Sequence, residues 1–143
     1  QQRGGKLIVH QGWADPSTAA NSTLDYYEAM TRVAGSRERA DEFSRLYLLP
    51  GVGHCGGGAG ADVVDFLSAL ERWVEHNEAP DLLVGHHIRG EVDPGAPRFP
   101  IDPASVEFTR PHYPYPAFAR YAGKGNAKDF KSWVKATPPA PRK

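Results

Sequence analysis

Two short apolar runs, each followed by a loop and then by a helical pattern, constrain the fold of this chain most. Residues 6–10 and 43–49 are too short for buried helices and carry branched apolar side chains, so they predict buried strands. Apolar residues at three- and four-residue spacing predict helices over residues 22–33 and 62–77. The order strand, helix, strand, helix predicts an α/β fold with parallel strands. Because two strands make a poor sheet, we expect the C-terminal part of a larger one.

The helical patterns also predict which faces are buried. In the first helix, Tyr26, Met30 and Val33 share the apolar face, and Leu24 and Tyr27 lie beside it. Gly35 is the expected C-terminal stop, and the highly charged residues 36–42 predict a solvated loop. The second helix has a broad apolar stripe made of Val63, Phe66, Leu67, Leu70, Trp73 and Val74.

The character of the chain changes after residue 90, because ten of the 13 prolines lie from Pro94 onward. Before that point, residues 82–88 predict a third strand. Beyond it, residues 91–104 predict a connection without a helix, residues 106–109 a short strand, and residues 126–134 a last short helix.

Composition and charge argue against several classes of function. The formal net charge is zero, so neither nucleic acid nor an anionic membrane surface is indicated as a partner. No apolar run approaches the ~20 residues that span a bilayer. The N-terminus shows neither an initiator methionine nor a signal peptide, so we expect a processed product or a piece of a longer chain. The single cysteine, Cys55, allows no disulfide within the chain.

Two polar side chains follow the two predicted strands. Asp15 comes after the first strand, and His54 comes after the second, in a stretch with six glycines between Gly51 and Gly60. Loops at the carboxyl ends of parallel strands collect catalytic groups. In α/β-hydrolases the chain order is nucleophile, acid, histidine, and the acid orients the imidazole that acts as the base. Asp15 and His54 fit the last two places, although a turn before Pro16 and a loop histidine without a role also explain them.

Longer stretches of the sequence resemble one known family. Residues 12–16 (Gly-Trp-Ala-Asp-Pro), residues 24–27 (Leu-Asp-Tyr-Tyr) and, most specifically, residues 50–58 (Pro-Gly-Val-Gly-His-Cys-Gly-Gly-Gly) resemble the C-terminal portion of the tannase and feruloyl esterase family. The closing segment of that family is resembled by Arg110-Pro111, Pro114-Tyr115-Pro116 and Arg120-Tyr121. The resemblance covers most of residues 6–134.

This resemblance implies an α/β-hydrolase serine esterase that cleaves aromatic esters of the feruloyl or galloyl type. Asp15 matches the family's acid and His54 its general base. Cys55 matches a cysteine that pairs with another beside the nucleophilic serine, here outside this chain. The resemblance also implies a secreted or periplasmic protein, no cofactor or metal in this segment, and calcium in a lid domain that this sequence lacks. The implied partners are an aromatic ester and the N-terminal part of the same protein.

The nucleophile itself has no match. None of the seven serines follows a cysteine or lies in a Gly-x-Ser-x-Gly elbow, so we expect this chain alone to be inactive. Many family members have a cysteine where Tyr113 stands, and we expect packing of Tyr113 and Tyr115 to replace that local disulfide. Trp13 and His10 are candidates for lining the cleft, with a structural role open for both.

The expected organisation has three parts. Residues 6–90 would form the C-terminal part of the α/β-hydrolase core that carries Asp15 and His54. Residues 91–136 would form a closing segment rich in proline and aromatic residues, and residues 137–143 a disordered tail.

Other functions remain open from the sequence alone. His86 and His87 could join His54 and Cys55 in a metal site, although adjacent strand residues point to opposite faces. The glycine-rich stretch could bind phosphate, although it lacks the lysine of a Walker motif. Cys55 could be a catalytic thiol, and the chain could be a non-catalytic binding module.

Overall fold

A computed structural model describes residues 3–90 and 99–139 of the chain. The strands are β1 (Leu7–Gly12), β2 (Ser44–Leu49), β3 (Val63–Val64), β4 (Leu83–Ile88), β5 (Val106–His112), β6 (Phe118–Tyr121) and β7 (Trp133–Ala136). The helices are α1 (Ala20–Ala34), α2 (Arg37–Asp41) and α3 (Phe66–His76). Short 3₁₀ turns, Pro103–Ser105 and Phe130–Ser132, precede β5 and β7.

The two predicted N-terminal strands pair in parallel, which confirms that prediction. They align from Leu7 opposite Ser44 to Gly12 opposite Leu49, and α1 lies in the connection between them. Four of the six residues of β2 are buried, and the phenol of Tyr47 donates a hydrogen bond to the carbonyl of Pro80. Because β1 and β2 run in the same direction, the loops that follow them leave the same edge of the sheet.

The remaining strands pair in antiparallel fashion, which the sequence did not indicate. Strand β4 lies between β3 and β5, and β6 forms a separate hairpin with β7. The predicted strands at residues 82–88 and 106–109 are confirmed, and the second of them extends to His112. Parallel pairing is therefore confined, among the described residues, to β1 and β2.

The predicted buried face of α1 is wrong. The side chains of Tyr26 and Val33 are 62% and 89% exposed, whereas Tyr27 and Thr31 are buried. Tyr27 faces inward because its hydroxyl donates a hydrogen bond to the carbonyl of Ser44 in β2. The contact with the sheet, rather than the apolar pattern alone, sets the rotation of this helix.

The predicted loop over residues 36–42 is also wrong, because it contains α2. The Oγ of Ser36 caps this helix by accepting a hydrogen bond from the amide of Arg39, and Ala40 is fully buried. The charged composition predicted a loop, but the cap at Ser36 and the burial of Ala40 stabilise a short helix. Gly35 ends α1 as predicted.

The second predicted helix begins later and buries a narrower stripe. Residues 63–64 belong to β3, and α3 starts after Asp65, whose carboxylate accepts a hydrogen bond from the amide of Ser68. Trp73 is buried, but Leu67 lies mostly exposed. The end of the helix at His76 agrees with the prediction.

The predicted last helix over residues 126–134 is wrong. One 3₁₀ turn, capped by the carboxylate of Asp129, leads directly into β7. Trp133 packs edge-on against Tyr121 of β6, with ring centroids 5.7 Å apart. The helical pattern predicted that Trp133 lies on a buried helix face. In the structure Trp133 lies in a strand and packs against β6 instead.

Parts of two predictions lie outside the described residues. These are residues 91–98 of the proline-rich connection and residues 140–143 of the tail. Residues 137–139 are exposed and have no regular secondary structure. Among the described residues, no helix has the length and apolar character needed to cross a membrane.

Candidate active site

The loops that follow β1 and β2 run side by side; we call residues 13–18 the acid loop and residues 50–60 the histidine loop. The amide of Trp13 donates to the last carbonyl of β2 at 2.9 Å, and the amide of Ala14 donates to the carbonyl of Val52 at 3.0 Å. Gly12 permits this approach, because a Cβ there would lie 2.5 Å from the carbonyl oxygen of Val52 and would collide with that of Gly53.

This approach brings together the two residues predicted from the strand ends. Nδ1 of His54 lies 2.7 Å from Oδ2 of Asp15, although 39 positions separate them in the chain. The Asp15 side chain is 2% exposed and the His54 side chain 54% exposed. The carboxylate is thus enclosed while the imidazole faces outward.

Both oxygens of the Asp15 carboxylate are held. Oδ1 accepts hydrogen bonds from the amides of Ser17 and Thr18, at 2.7 and 3.0 Å. Oδ2 accepts from Nε2 of Gln11 at 3.1 Å and contacts His54. Burial alone would raise the pKa of Asp15, but these hydrogen bonds, that of His54 first, outweigh it and hold the pKa well below its ordinary range.

The charge on Asp15 fixes the tautomer of the histidine. An ionised carboxylate only accepts hydrogen bonds, so Nδ1 of His54 carries the proton in this contact. In the neutral imidazole the other nitrogen, Nε2, then has a free lone pair. Asp15 also forms the turn at Ser17 and Thr18, so the turn role left open by the sequence and the contact with His54 coexist.

The histidine loop folds back on itself. Its two limbs meet where Val52 bridges Gly58, and the amide of Gly60 donates to the carbonyl of Gly51 at 3.0 Å. His54 lies exposed between these limbs. The glycine-rich stretch is therefore a closed loop with defined backbone hydrogen bonds.

Two imidazoles from β4 and β5 hold the C-terminal end of this loop. Nδ1 of His87 lies 2.8 Å from the carbonyl oxygen of Gly60, and Nε2 of His112 lies 3.0 Å from that of Ala61. Gly85 leaves room for the second contact, because a Cβ there would lie 2.5 Å from the Ala61 oxygen. Burial lowers the pKa of His112, so its neutral imidazole makes this bond. Sequence reasoning missed His112 and Gly85, because no local signal marks a contact over 51 positions.

The alternative of a metal site gains no support. Nδ1 of His86 lies 3.3 Å from the carbonyl oxygen of Val63, and the ring of His87 stacks on Phe108 with centroids 4.6 Å apart. No group of three or more His, Cys, Asp or Glu side chains that could hold a metal ion occurs within residues 3–90 and 99–139. The calcium expected in a lid domain concerns a segment outside this sequence and stays a prediction.

Three further residues were predicted to belong to the site or to line its cleft, namely Cys55, Trp13 and His10. Cys55 is exposed with a free thiol beside His54, and its disulfide to a cysteine outside the chain stays a prediction. Trp13 is half exposed and lines an open, mostly apolar cavity of about 560 Å³ whose lining includes neither Asp15 nor His54. The ring of His10 stacks on Phe66 with centroids 4.4 Å apart, and burial lowers its pKa.

The tyrosines of the closing segment pack differently. The amide of Tyr115 donates to the carbonyl of Leu46 at 2.8 Å, and its ring meets Tyr27 edge-on with centroids 6.4 Å apart. Tyr113 instead lies under the ammonium group of Lys135, 5.9 Å from the ring centroid. Tyr115 therefore joins the closing segment to β2 and α1.

Residues 1–136 match the family model described as tannase and feruloyl esterase. The chain is 39% identical over 139 residues to mono(2-hydroxyethyl) terephthalate hydrolase of Piscinibacter sakaiensis, an alignment that covers 97% of this chain and 21% of that protein. It is 32% identical over 145 residues to feruloyl esterase C of Talaromyces stipitatus, covering 91% of this chain and 26% of that protein. The chain thus spans about a quarter of the length of these relatives.

Solved structures are similar as well. An esterase from Aspergillus oryzae superposes with a TM-score of 0.79 at 28% identity, over 94% of this chain and 28% of that chain. Feruloyl esterase B from Aspergillus oryzae superposes with a TM-score of 0.74 at 25% identity, over 95% and 27% of the two chains. These similarities confirm the predicted α/β-hydrolase fold class.

Proposed function

The chain belongs to the tannase and feruloyl esterase family, and on that premise we propose that it supplies the acid and the general base of a serine esterase. The observation that carries the proposal is the 2.7 Å contact between Nδ1 of His54 and Oδ2 of Asp15. The half-exposed imidazole and the enclosed, ionised carboxylate match the division of roles in a hydrolytic triad.

In the proposed reaction a serine outside this chain attacks the ester carbonyl. Nε2 of His54 takes the serine proton as the new C–O bond forms, and Asp15 stabilises the resulting imidazolium. The imidazolium then gives that proton to the departing alcohol oxygen, which leaves an acyl-enzyme. A water molecule, deprotonated by the same nitrogen, then attacks the acyl carbon. The imidazolium returns that proton to the serine oxygen as the acyl–oxygen bond breaks, which frees the acid and restores the serine.

The proposed substrates are aromatic esters of the feruloyl or galloyl type. The relatives named above are a feruloyl esterase and a terephthalate monoester hydrolase, and both names denote esters of an aromatic acid. This choice of substrate class rests on these relatives.

The serine, in this proposal, comes from the N-terminal part of the same protein. Within residues 3–90 and 99–139, no serine hydroxyl is hydrogen-bonded to His54, which supports the expectation that the chain alone is inactive. Cys55, next to His54, would be bridged to a cysteine beside that serine. Such a bridge needs an oxidising compartment, so a secreted or periplasmic location is part of the proposal.

The test compares residues 1–143 with the protein expressed from its complete coding sequence, using methyl ferulate, methyl gallate and a terephthalate monoester. We expect turnover by the complete protein and none by the shorter chain. His54→Asn should lower kcat by about 10⁴-fold or more. His76→Asn, which changes an exposed histidine at the end of α3, is the matched control and should retain activity.

Two results would overturn the proposal. One is a complete protein that hydrolyses none of these esters, which would favour the binding-module alternative. The other is a His54→Asn variant whose kcat equals that of His76→Asn, which would show that this imidazole is not the base.

A further inference from the structure

Side-chain hydrogen bonds continue from Asp15 into the interior of the protein. Gln11, in β1, is only 8% exposed. Its Nε2 donates to Oδ2 of Asp15 at 3.1 Å, and its Oε1 accepts a hydrogen bond from the hydroxyl of Thr23 at 2.8 Å. The same Nε2 contacts the carbonyl oxygens of Gly12 at 3.1 Å and Thr18 at 3.4 Å.

The surroundings of Gln11 permit one orientation of its amide. Every group near Nε2 is an acceptor, namely the carboxylate of Asp15 and two backbone carbonyls. Exchanging the amide oxygen and nitrogen would place a carbonyl oxygen against an ionised carboxylate. The hydroxyl of Thr23, in the first turn of α1, holds Oε1 on the opposite side. The amide is therefore fixed between a helix and the candidate site.

The two oxygens of Asp15 are held by different means. Backbone amides hold Oδ1, and these persist whatever side chains occupy the acid loop. On Oδ2, the oxygen that faces His54, Gln11 is the one further hydrogen-bond donor within the described part of the chain. Because the carboxylate is rigid, the amides on Oδ1 limit its rotation, and Gln11 adds the one restraint that acts directly on Oδ2 beside His54 within the described part of the chain.

We propose that Gln11 is a positioning residue that directs Oδ2 of Asp15 toward His54, and that Thr23 holds Gln11 in place. The consequence is an imidazole whose Nδ1 remains aligned with the carboxylate, so that Nε2 keeps one direction toward the reacting atoms. This inference rests on the proposed roles of Asp15 and His54 and deepens them.

Gln11→Glu tests the inference at constant side-chain size. It replaces the donor on Oδ2 with a second carboxylate, and the two acids then compete for a proton. In the protein expressed from its complete coding sequence, we expect kcat to fall about 10- to 100-fold while KM changes little. The acid limb of the pH profile of kcat should move to higher pH, because the second negative charge beside Asp15 favours the protonated imidazole of His54, which cannot act as the base.

A pair of variants at Thr23 provides the matched control. Thr23→Val keeps the shape but loses the hydroxyl that holds Oε1, and it should lower kcat several-fold. Thr23→Ser keeps the hydroxyl and should restore wild-type kcat. This pair decides the question if Gln11→Glu does not fold, which urea unfolding would reveal.

Nuclear magnetic resonance of ¹⁵N-labelled histidine gives a readout that needs no ester. We expect Gln11→Glu or Thr23→Val to move the Nδ1 proton resonance of His54 and to speed its exchange with water, and Thr23→Ser to leave both unchanged. If the wild-type protein hydrolyses no ester, the proposed function fails while this measurement still tests Gln11. If His54→Asn abolishes activity but Gln11→Glu and Thr23→Val keep wild-type kcat, pH profile and resonance, the inference about Gln11 is overturned alone.

Discussion

The contact between the acid loop and the histidine loop can be tested by Gly12→Ala. The added Cβ would lie 2.5 Å from the carbonyl oxygen of Val52 and would collide with that of Gly53. Both obstacles are backbone atoms, so no side chain can rotate away and the two loops must separate. We expect the 3.0 Å hydrogen bond between Ala14 and Val52 to break, and the contact between Asp15 and His54 to lengthen.

The size of this effect follows from three contributions. The lost backbone hydrogen bond costs about 1 kcal/mol. Forcing a methyl group against packed backbone costs about 1–3 kcal/mol. Replacing glycine by alanine restricts the unfolded chain and offsets about 0.4–1 kcal/mol. The free energy of unfolding should therefore fall by about 1–3.5 kcal/mol. If Asp15 and His54 separate by about 1 Å, kcat should fall about 100-fold.

Urea unfolding followed by tryptophan fluorescence measures the free energy of unfolding. Ester hydrolysis by the complete protein measures kcat. Gly5→Ala is the matched control, because a Cβ at that position meets nothing within 4 Å. Its free energy of unfolding should stay within about 0.5 kcal/mol of wild type. If Gly12→Ala is as stable and as active as Gly5→Ala, the reasoning from backbone contact is refuted.

Three further substitutions test other contacts. Gly85→Ala should displace His112 from the carbonyl that it holds and lower the free energy of unfolding by about 1–3 kcal/mol; unchanged urea unfolding would contradict this. Asp15→Asn should lower kcat about 10⁴-fold. Because folding lowers the pKa of Asp15, its carboxylate stabilises the fold above its unfolded pKa of about 3.9, and this stabilisation is lost as the pH falls through the lower folded value. The stability difference between wild type and Asp15→Asn should therefore shrink below about pH 4 in urea unfolding, and a constant difference would contradict the argument. Tyr47→Phe should leave the carbonyl of Pro80 without its donor and cost about 1–3 kcal/mol, and unfolding at the wild-type urea concentration would contradict that.

The proximity of Asp15 and His54 could be predicted because it follows from topology. Two parallel strands joined by a helix must release their following loops at one edge of the sheet, whatever the details of the helix. The prediction therefore survived errors in those details, such as the exposed Tyr26 and Val33 on α1. The order of the strands and helices, and not the rotation of each helix, decides which loops lie side by side.

The supporting contacts could not be predicted, because each pairs a residue with a group that only the folded chain brings near. A glutamine near the end of an apolar strand is visible in the sequence, but its partners Asp15 and Thr23 are not. The spacing of Phe130 and Trp133 suits a helix, yet the edge-on contact of Trp133 with Tyr121 belongs to a hairpin. In the second case the local periodicity is overridden by the pairing of two strands.

A glycine-rich loop loses much conformational entropy on folding, so it is not expected to fix the position of a catalytic histidine by itself. In the structure both ends of this loop are fixed by hydrogen bonds. The acid loop holds the N-terminal limb through backbone bonds that Gly12 permits. The antiparallel strands hold the C-terminal end through His87 and His112. Glycine supplies the close approaches, and two different sheets supply the rigidity. The antiparallel pairing of β4 and β5, which the sequence did not indicate, therefore contributes to the position of His54.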